Sequence, residues 1–243
     1  MIQNVKVLSN QRLVSDTVEI KMTWDGTEVK PGQFLHIQVP NQFLRRPISI
    51  SQADEKSCTI VVKDVGKGTH WLAQIEPGES LNVQGPLGNG FKVENKKQVT
   101  LVGGGVGIAP LVQLAKRYQE KQVQVDVVLG VNTADQLYYD DFFKDLDACV
   151  HLASMDGSIG VKGTVMDAID QNQVSIDYVQ ACGPMPMLKA ISQHPKDGQV
   201  SLEARMACGV GACMGCVVVD KENKSYRVCK DGPVFDLDQE VLG

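Results

Sequence analysis

Four cysteines stand close together near the end of this 243-residue chain: Cys208, Cys213, Cys216 and Cys229, with four, two and twelve residues between them. Thiolates are soft ligands, and sets of four hold either zinc or an iron–sulfur cluster. The first two gaps match the plant-type [2Fe–2S] pattern C-x4-C-x2-C, and Gly209, Gly211 and Gly215 give the loop backbone freedom to wrap a cluster. The last gap is shorter than in plant-type ferredoxins, so Cys229 is assigned as the fourth ligand by position. Zinc is the alternative. Four-cysteine zinc sites more often carry two C-x-x-C pairs, and only one stands here, which favours iron and sulfide.

A second stretch with chemical meaning is "LVGGGVGIAPL", residues 101–111, which sets Gly103, Gly104, Gly105 and Gly107 between a strand pattern and a helix start. Backbone N–H groups without side chains around them can approach a pyrophosphate closely. The spacing departs from G-x-G-x-x-G, so a standard dinucleotide fold does not follow. Two glycines would read as a tight turn; four in five positions read as an anion loop. "ACGPMPM" puts Cys182, Gly183 and Pro184 at the carboxyl end of another strand pattern, where open α/β sheets bind ligands. A third stretch, "LRRPISIS", carries Arg45, Arg46 and Ser49 on one strand. Paired arginines are commonly a solvated edge, yet a fixed guanidinium with a hydroxyl three residues on can hold a phosphate.

Acid–base chemistry has no such support. His36, His70, His151 and His194 are scattered without a nucleophile, and each reads as a surface or packing residue. Cys58 and Cys149 fall inside strand patterns and read as small core residues.

The elements that must position these residues divide near residue 97. Before it, "TVEIKMT", "QFLHIQV", "CTIVVK" and "SLNVQ" alternate between turn-rich stretches such as "EPGES" and "GPLGNG", which predicts a small antiparallel barrel with one capping helix at "THWLAQI". After it, buried strand patterns "VTLV", "VQVDVVLG", "CVHLAS" and "IDYVQACG" alternate with helical segments "APLVQLAKRYQE" and "MPMLKAISQ". That order predicts a parallel sheet with helices on both faces. Pro110 opens the first of these helices, with Leu111, Leu114, Ala115 and Tyr118 on one face. From about residue 200 the cysteine segment follows, with "CVVVD" and "SYRVC" as strands of a small hairpin.

Composition limits the partners. A net charge of -5 without a basic stripe argues against nucleic acid. The start "MIQNVKVLSN" lacks the apolar core of a secretory signal, and no apolar run is long enough to span a bilayer, so the expected location is the cytoplasm. In a reducing compartment seven cysteines point to metal binding rather than disulfides.

In this order, "RRPISI", "GKGT", "GPLGNGF", "GGGVGIAP" and "CGPMPM" resemble the ferredoxin-NADP reductase superfamily over essentially the whole chain. With "EARMACGVGACMGC" and "CKDGPVF" appended, the sequence resembles the electron-transfer subunits of type B dihydroorotate dehydrogenases. The resemblance implies an antiparallel FAD-binding barrel over 1–97, a parallel-sheet α/β domain for NAD over 98–200 and a [2Fe–2S] segment over 201–243. It implies that Arg46, Pro47, Ile48 and Ser49 bind FAD, that Val61, Val62 and Lys63 line the flavin site, and that Gly68 and Thr69 meet its pyrophosphate. Gly103, Gly104, Gly105 and Gly107 would receive the nicotinamide nucleotide together with Cys182, Gly183 and Pro184, Cys182 lying near the reacting ring. The implied partner is an FMN-containing subunit that oxidises dihydroorotate in pyrimidine synthesis, in a heterotetramer of two of each.

Two other functions use the same residues. One is an NAD(P)H reductase subunit feeding an oxygenase, hydrogenase or sulfur-reducing enzyme. The other, a non-catalytic zinc-stabilised interaction module, leaves three nucleotide-type features without a use. Many relatives end in an aromatic residue over the flavin, whereas this chain ends "EVLG". "VNTADQ" and "SMDGS" carry no arginine for a 2′-phosphate, which favours NAD over NADP, with Lys162 nearby as the one cation that could reverse the preference.

Overall fold

The computed structural model describes residues 1–194, 197–239 and 241–242. Six strands close an antiparallel barrel in the order β1-β2-β5-β4-β3-β6. They are β1 (Ile2–Val14), β2 (Thr17–Thr23), β3 (Phe34–Ile37), β4 (Arg46–Ala53), β5 (Ser57–Lys63) and β6 (Ser80–Leu87). Alternation explains the closure: Val18, Ile20 and Met22 of β2 point into one core with Leu35, Ile37, Ile60 and Val62, and polar neighbours point out. Helix α1 (Lys67–Ala73) buries Leu72 and Ala73 against that core. Strand β1 is the longest of the six, thirteen residues.

The rest of the chain builds a seven-stranded sheet, order β10-β9-β8-β7-β11-β12-β15. Its members in chain order are β7 (Gln98–Gly104), α2 (Leu111–Glu120), β8 (Gln124–Val131), α3 (Asp140–Asp145), β9 (Cys149–Ser154), β10 (Val161–Lys162), α4 (Val165–Gln171), β11 (Val179–Cys182), α5 (Met185–Ser192) and β12 (Gly198–Ser201). All of these strands run parallel. Both faces are covered, which is why the strands read as continuous apolar runs. Val99, Leu101, Val127 and Leu129 pack with α2 on one face, while Val102, Val128, Ala181 and Val200 pack with α4 and α5 on the other.

The cysteine segment contributes the hairpin of β13 (Val217–Val219) and β14 (Ser225–Arg227), as the sequence predicts. It also contributes β15 (Val234–Asp236), which adds antiparallel to β12 and was not foreseen. Phe235 of β15 and Val228 are buried in the same core as Val200 and α5, so the segment is built onto the sheet rather than hung from it. Val241 and Leu242 enter that core as well; Glu240 and Gly243 of the "EVLG" tail lie outside the described residues. Among the described residues no helix is long and apolar enough to cross a membrane.

Candidate functional site

At the carboxyl edge of the sheet, the register of β7, β11 and β12 puts Gly103, Cys182 and Ser201 in one row. The glycine loop leaves β7 here, through a single 3-10 turn at Gly105–Ile108, and reaches α2 at Pro110. Its glycines do different jobs. A Cβ on Gly107 would sit 2.2 Å from the Cys182 carbonyl oxygen, and one on Gly103 would press on Ile108 at 3.1 Å, so both serve close packing of backbone. Gly105 borders open space instead, whereas a Cβ on Gly104, which lines the same crevice, would lie 2.6 Å from Met187 Sδ and 2.9 Å from Pro184 Cδ. Burial, and after it the nearby Glu203, pushes the Cys182 thiol up to about 12, so it stands in the row as a neutral, small side chain.

A crevice of about 380 Å3 runs between the barrel and this edge. Pro47, Ile48, Ser49, Val61, Lys63 and Thr69 line it from the barrel, with Gly107 and Cys182 opposite. Val62 does not reach it, because its side chain points into the barrel core. Arg46 stands beside it. Its Nη1 donates to the Leu44 carbonyl at 2.6 Å and its Nη2 to Gln42 at 2.8 Å, and the Nε edge lies so close to Gly68 that a Cβ there would be 2.5 Å away. Gly68 is therefore the residue that lets a guanidinium lie across the start of α1. Thr69 Oγ1 accepts the N–H groups of Val65 and Gly66 at 3.0 Å each, which fixes the turn before that helix.

A second crevice, about 610 Å3, opens on the other side of the glycine loop. Gly104, Gly105 and Pro184 line it with Asn132, Gln136 and Thr164. Gly183, at φ +159, packs on Met187 and on the Gly104 backbone and so joins the two loops. Lys63 and Glu203 line both crevices, and Lys63 is also paired with Asp16 at 3.2 Å. Glu203 was invisible in sequence, as were Phe34, Leu202 and Met206, which complete the first crevice. Only their place after β12 or on β3 gives them a role, and no motif marks that place. Glu203 keeps surface open to the crevices, yet the protein around its carboxyl still raises its pKa above the ordinary range.

The four cysteines form two pairs. Cys213 N–H donates to Cys208 Sγ at 3.4 Å, and Cys229 N–H to Cys216 Sγ at 3.4 Å. Val210 and Ala212 also donate to Cys208, and Gly211 donates to Cys229 Sγ at 3.1 Å. Arg227 braces the loop: it binds Asp231 through two nitrogens and donates Nη1 to the Gly211 carbonyl at 3.2 Å. Burial works to raise the Cys208 thiol, but the N–H groups of Val210 and Cys213 and their neighbours outweigh it and bring it down to about 6. Cys229 is pushed up to about 12 by burial and then by Cys216. Four thiolates cannot share this loop without a cationic centre to offset their charge. Bonds of about 2.3 Å would place all four sulfurs of a tetrahedral zinc site about 3.8 Å apart. Among the described residues, the one trio of ligand atoms mutually within 4.8 Å is Asp126, Cys149 and His151, so no three of these sulfurs are that close. Two such pairs, with N–H groups turned to the sulfurs, suit the ligand sulfurs of a two-iron cluster.

The Asp126, Cys149 and His151 trio lies at the opposite end of β8 and β9, and its polar atoms satisfy one another and Gln98. Cys149 corrects the sequence reading: it begins β9 at the uncovered edge and is exposed, whereas Cys58 is buried in the barrel core as expected.

Comparison with known proteins places each part. A family model described as the iron-sulfur cluster binding domain of dihydroorotate dehydrogenase B matches residues 203–240. Models of an oxidoreductase NAD-binding domain and an oxidoreductase FAD-binding domain match 101–193 and 4–91. The chain is similar to the "dihydroorotate dehydrogenase B (NAD(+)), electron transfer subunit" of Fusobacterium nucleatum, 40% identical over 96% of each chain. The subunit of the same name from Caldanaerobacter subterraneus is 40% identical over 98% of this chain and 97% of its own. A solved NADH-dependent reduced ferredoxin-NADP oxidoreductase, studied for flavin-based electron bifurcation, superposes with a TM-score of 0.88 at 32% identity, over 97% of this chain and 88% of that one. The ferredoxin reductase of carbazole 1,9a-dioxygenase, TM-score 0.69 at 20% identity over 79% and 64%, shares the fold. Full-length identity of this order, joined to a reductase barrel, a nucleotide sheet and a four-cysteine loop, makes the chain a member of the dihydroorotate dehydrogenase B electron transfer subunit family.

Proposed function

We propose that this chain carries electrons between NAD and an FMN-containing subunit that oxidises dihydroorotate to orotate, in the cytoplasm and in an assembly of two of each subunit. The observation that carries the reading is that two crevices adjoin, sharing Lys63, Val106 and Glu203 as lining, with the first reaching Cys182 and Ser201 of the row at the sheet edge. Two flat rings can be held face to face only where such crevices join. The working division is a flavin barrel of 1–97, a nucleotide domain of 98–200 and a cluster segment of 201–243.

Arg46 and Thr69 bind the FAD pyrophosphate end, Gly68 giving the guanidinium its room. Pro47, Ile48, Ser49, Val61 and Lys63 hold the flavin ring, and Val62 acts through its backbone alone. Gly104, Gly105 and Pro184 border the nicotinamide nucleotide, while Gly103, Gly107 and Gly183 bring the two loops together beneath it. Cys182, kept neutral, packs at the reacting ring without taking a proton. The segment 201–206, with Leu202 and Met206 in the crevice, covers the flavin where relatives use a terminal aromatic residue. Cys208, Cys213, Cys216 and Cys229 hold the [2Fe–2S] cluster. When bound, FAD supplies exchange between the two-electron chemistry of nicotinamide and the one-electron chemistry of iron and sulfide. Among the described residues the second crevice offers Asn132 and Gln136 and no arginine, and Lys63 is its one cationic lining residue, which fits NAD better than NADP.

A pull-down with cofactor analysis tests the proposal. FAD, iron and sulfide on this chain, FMN on a co-purifying partner, and NADH-dependent dye reduction by this chain alone are expected. Dihydroorotate oxidation by the isolated chain at the rate of the assembly would refute it, as would a colourless chain holding zinc.

A further inference from the structure

His36 sits where the barrel meets the cysteine loop. In β3 the side chains of Leu35 and Ile37 enter the barrel core, while Phe34 faces the first crevice. His36 is on the same side of the strand as Phe34, two residues or about 6.7 Å further along. Its ring is wholly buried, and neither ring nitrogen has a hydrogen-bond partner. Gln84, across the β3–β6 pairing, comes near without making a bond of normal geometry. Against the ring lies Gly209, the residue after Cys208. A Cβ on Gly209 would be 2.6 Å from His36 Nδ1, and its φ of +71 independently favours glycine.

A buried nitrogen left without a partner is expensive, and folded proteins rarely carry two on one ring without a use for them. Among the described residues of the barrel, Gln84 and the Arg45 backbone come near these nitrogens, and neither makes a bond of normal geometry to them. The outer face of β3 thus runs from the flavin crevice, at Phe34, to the cysteine loop, at His36. Burial, followed by the charge of Arg45, holds the ring neutral, so one nitrogen carries a proton to give.

We propose that His36 is a positioning residue of the iron–sulfur site, whose ring N–H donates to the sulfur shell of the cluster and raises its reduction potential. The proposal rests on the four cysteines being cluster ligands. An N–H beside a sulfur favours the reduced cluster, which carries one more negative charge, and so moves the potential upward. Placed on the strand that also lines the flavin crevice, the same ring fixes the loop's distance from the flavin.

The test uses the cluster-loaded full chain. Iron and sulfide are measured first; their absence from the wild-type protein would remove the cluster reading itself, whatever His36 does. With the cluster present, pulsed electron paramagnetic resonance on reduced protein labelled with 15N-histidine should show a weak nitrogen coupling. An EPR-monitored titration should then give a lower potential for His36→Leu at full iron content, and a value closer to wild type for His36→Gln, whose amide can still donate. No histidine coupling in the wild-type protein would overturn the proposal even if neither variant folds. So would a cluster-loaded His36→Leu with unchanged potential, while a shifted potential without the wild-type coupling would assign His36 a packing role only and equally overturn it.

Discussion

Gly107 and Glu203 carry consequences that can be measured one side chain at a time. A Cβ at Gly107 would meet backbone, not a movable side-chain end, since the Cys182 carbonyl and the Gly183 nitrogen are 2.2 and 2.6 Å from it. Gly107→Ala must therefore part the two loops that border the nucleotide crevice, at a cost of about 1–3 kcal/mol. The expected result is a loss of about tenfold or more in kcat/KM for NADH-dependent dye reduction. Glu203 tests electrostatics. Because burial raises its pKa, the folded chain binds this proton more tightly than the unfolded chain does. Stability then falls as pH climbs from the ordinary value of 4.5 to the folded value, and is level beyond it. Glu203→Gln removes that slope, so the difference in Tm between variant and wild type should grow in the variant's favour as the pH rises above 4.5 and level off once it passes the raised folded value; the open surface of Glu203 keeps it small. A difference that shrinks with pH would show that Glu203 gains more from Lys63 or another cation than it loses by burial.

Elements differ in how much of them a sequence exposes. The alternation of Val18, Ile20 and Met22, the apolar runs of β7 and β8, and Pro110 at the mouth of α2 are periodic or positional signals, and each marks its element in the folded chain. So is the cysteine spacing, which is local. The elements that escaped notice are those made by long-range pairing: β12 has four residues and β15 three, too short for a period, and they exist because they find each other and β11. The lining residues Phe34, Glu203 and Met206 escaped for the same reason, since a crevice between two domains has no image in either one's pattern. β15 yields the prediction at this scale. Phe235 is 1% exposed, meets Tyr226 edge-on at 5.9 Å between ring centres, and lies in the core that Cys216 and Cys229 share. Phe235→Ala should cost about 3–5 kcal/mol. Denaturant unfolding should show that loss, and iron should leave the variant at a lower denaturant concentration than FAD does, because the cavity opens beneath the cysteine loop rather than in the barrel.

As a whole the molecule commits its two adjoining crevices to flavin and nucleotide, and an electron transfer subunit must pass its electrons on to a partner across a surface. That surface is best sought where apolar side chains stand in water without a core to join. Val210 and Met214, 43% and 54% exposed, lie on the cysteine loop itself, and Phe43 and Leu44, at 101% and 40%, lie on the β3–β4 connection that leaves the strand carrying His36. Gly209 against His36 ties these two loops to one another. Methionine and aromatic side chains exposed in this way are enriched in interfaces, where a few central residues supply most of the binding energy. A charge placed among them would have to be desolvated on docking. Met214→Glu should therefore weaken association with the catalytic partner subunit about tenfold or more, roughly 1.4 kcal/mol, as measured by titration of one purified subunit with the other. Iron, sulfide and FAD content and NADH-dependent dye reduction should stay at wild-type levels, because Met214 is more than half exposed and belongs to none of the three buried cores. If binding is unchanged while Phe43→Glu disrupts it, the docking face is centred on the barrel loop and electrons leave past β3 rather than over Met214; if neither variant weakens binding, the partner does not dock at the cysteine end at all.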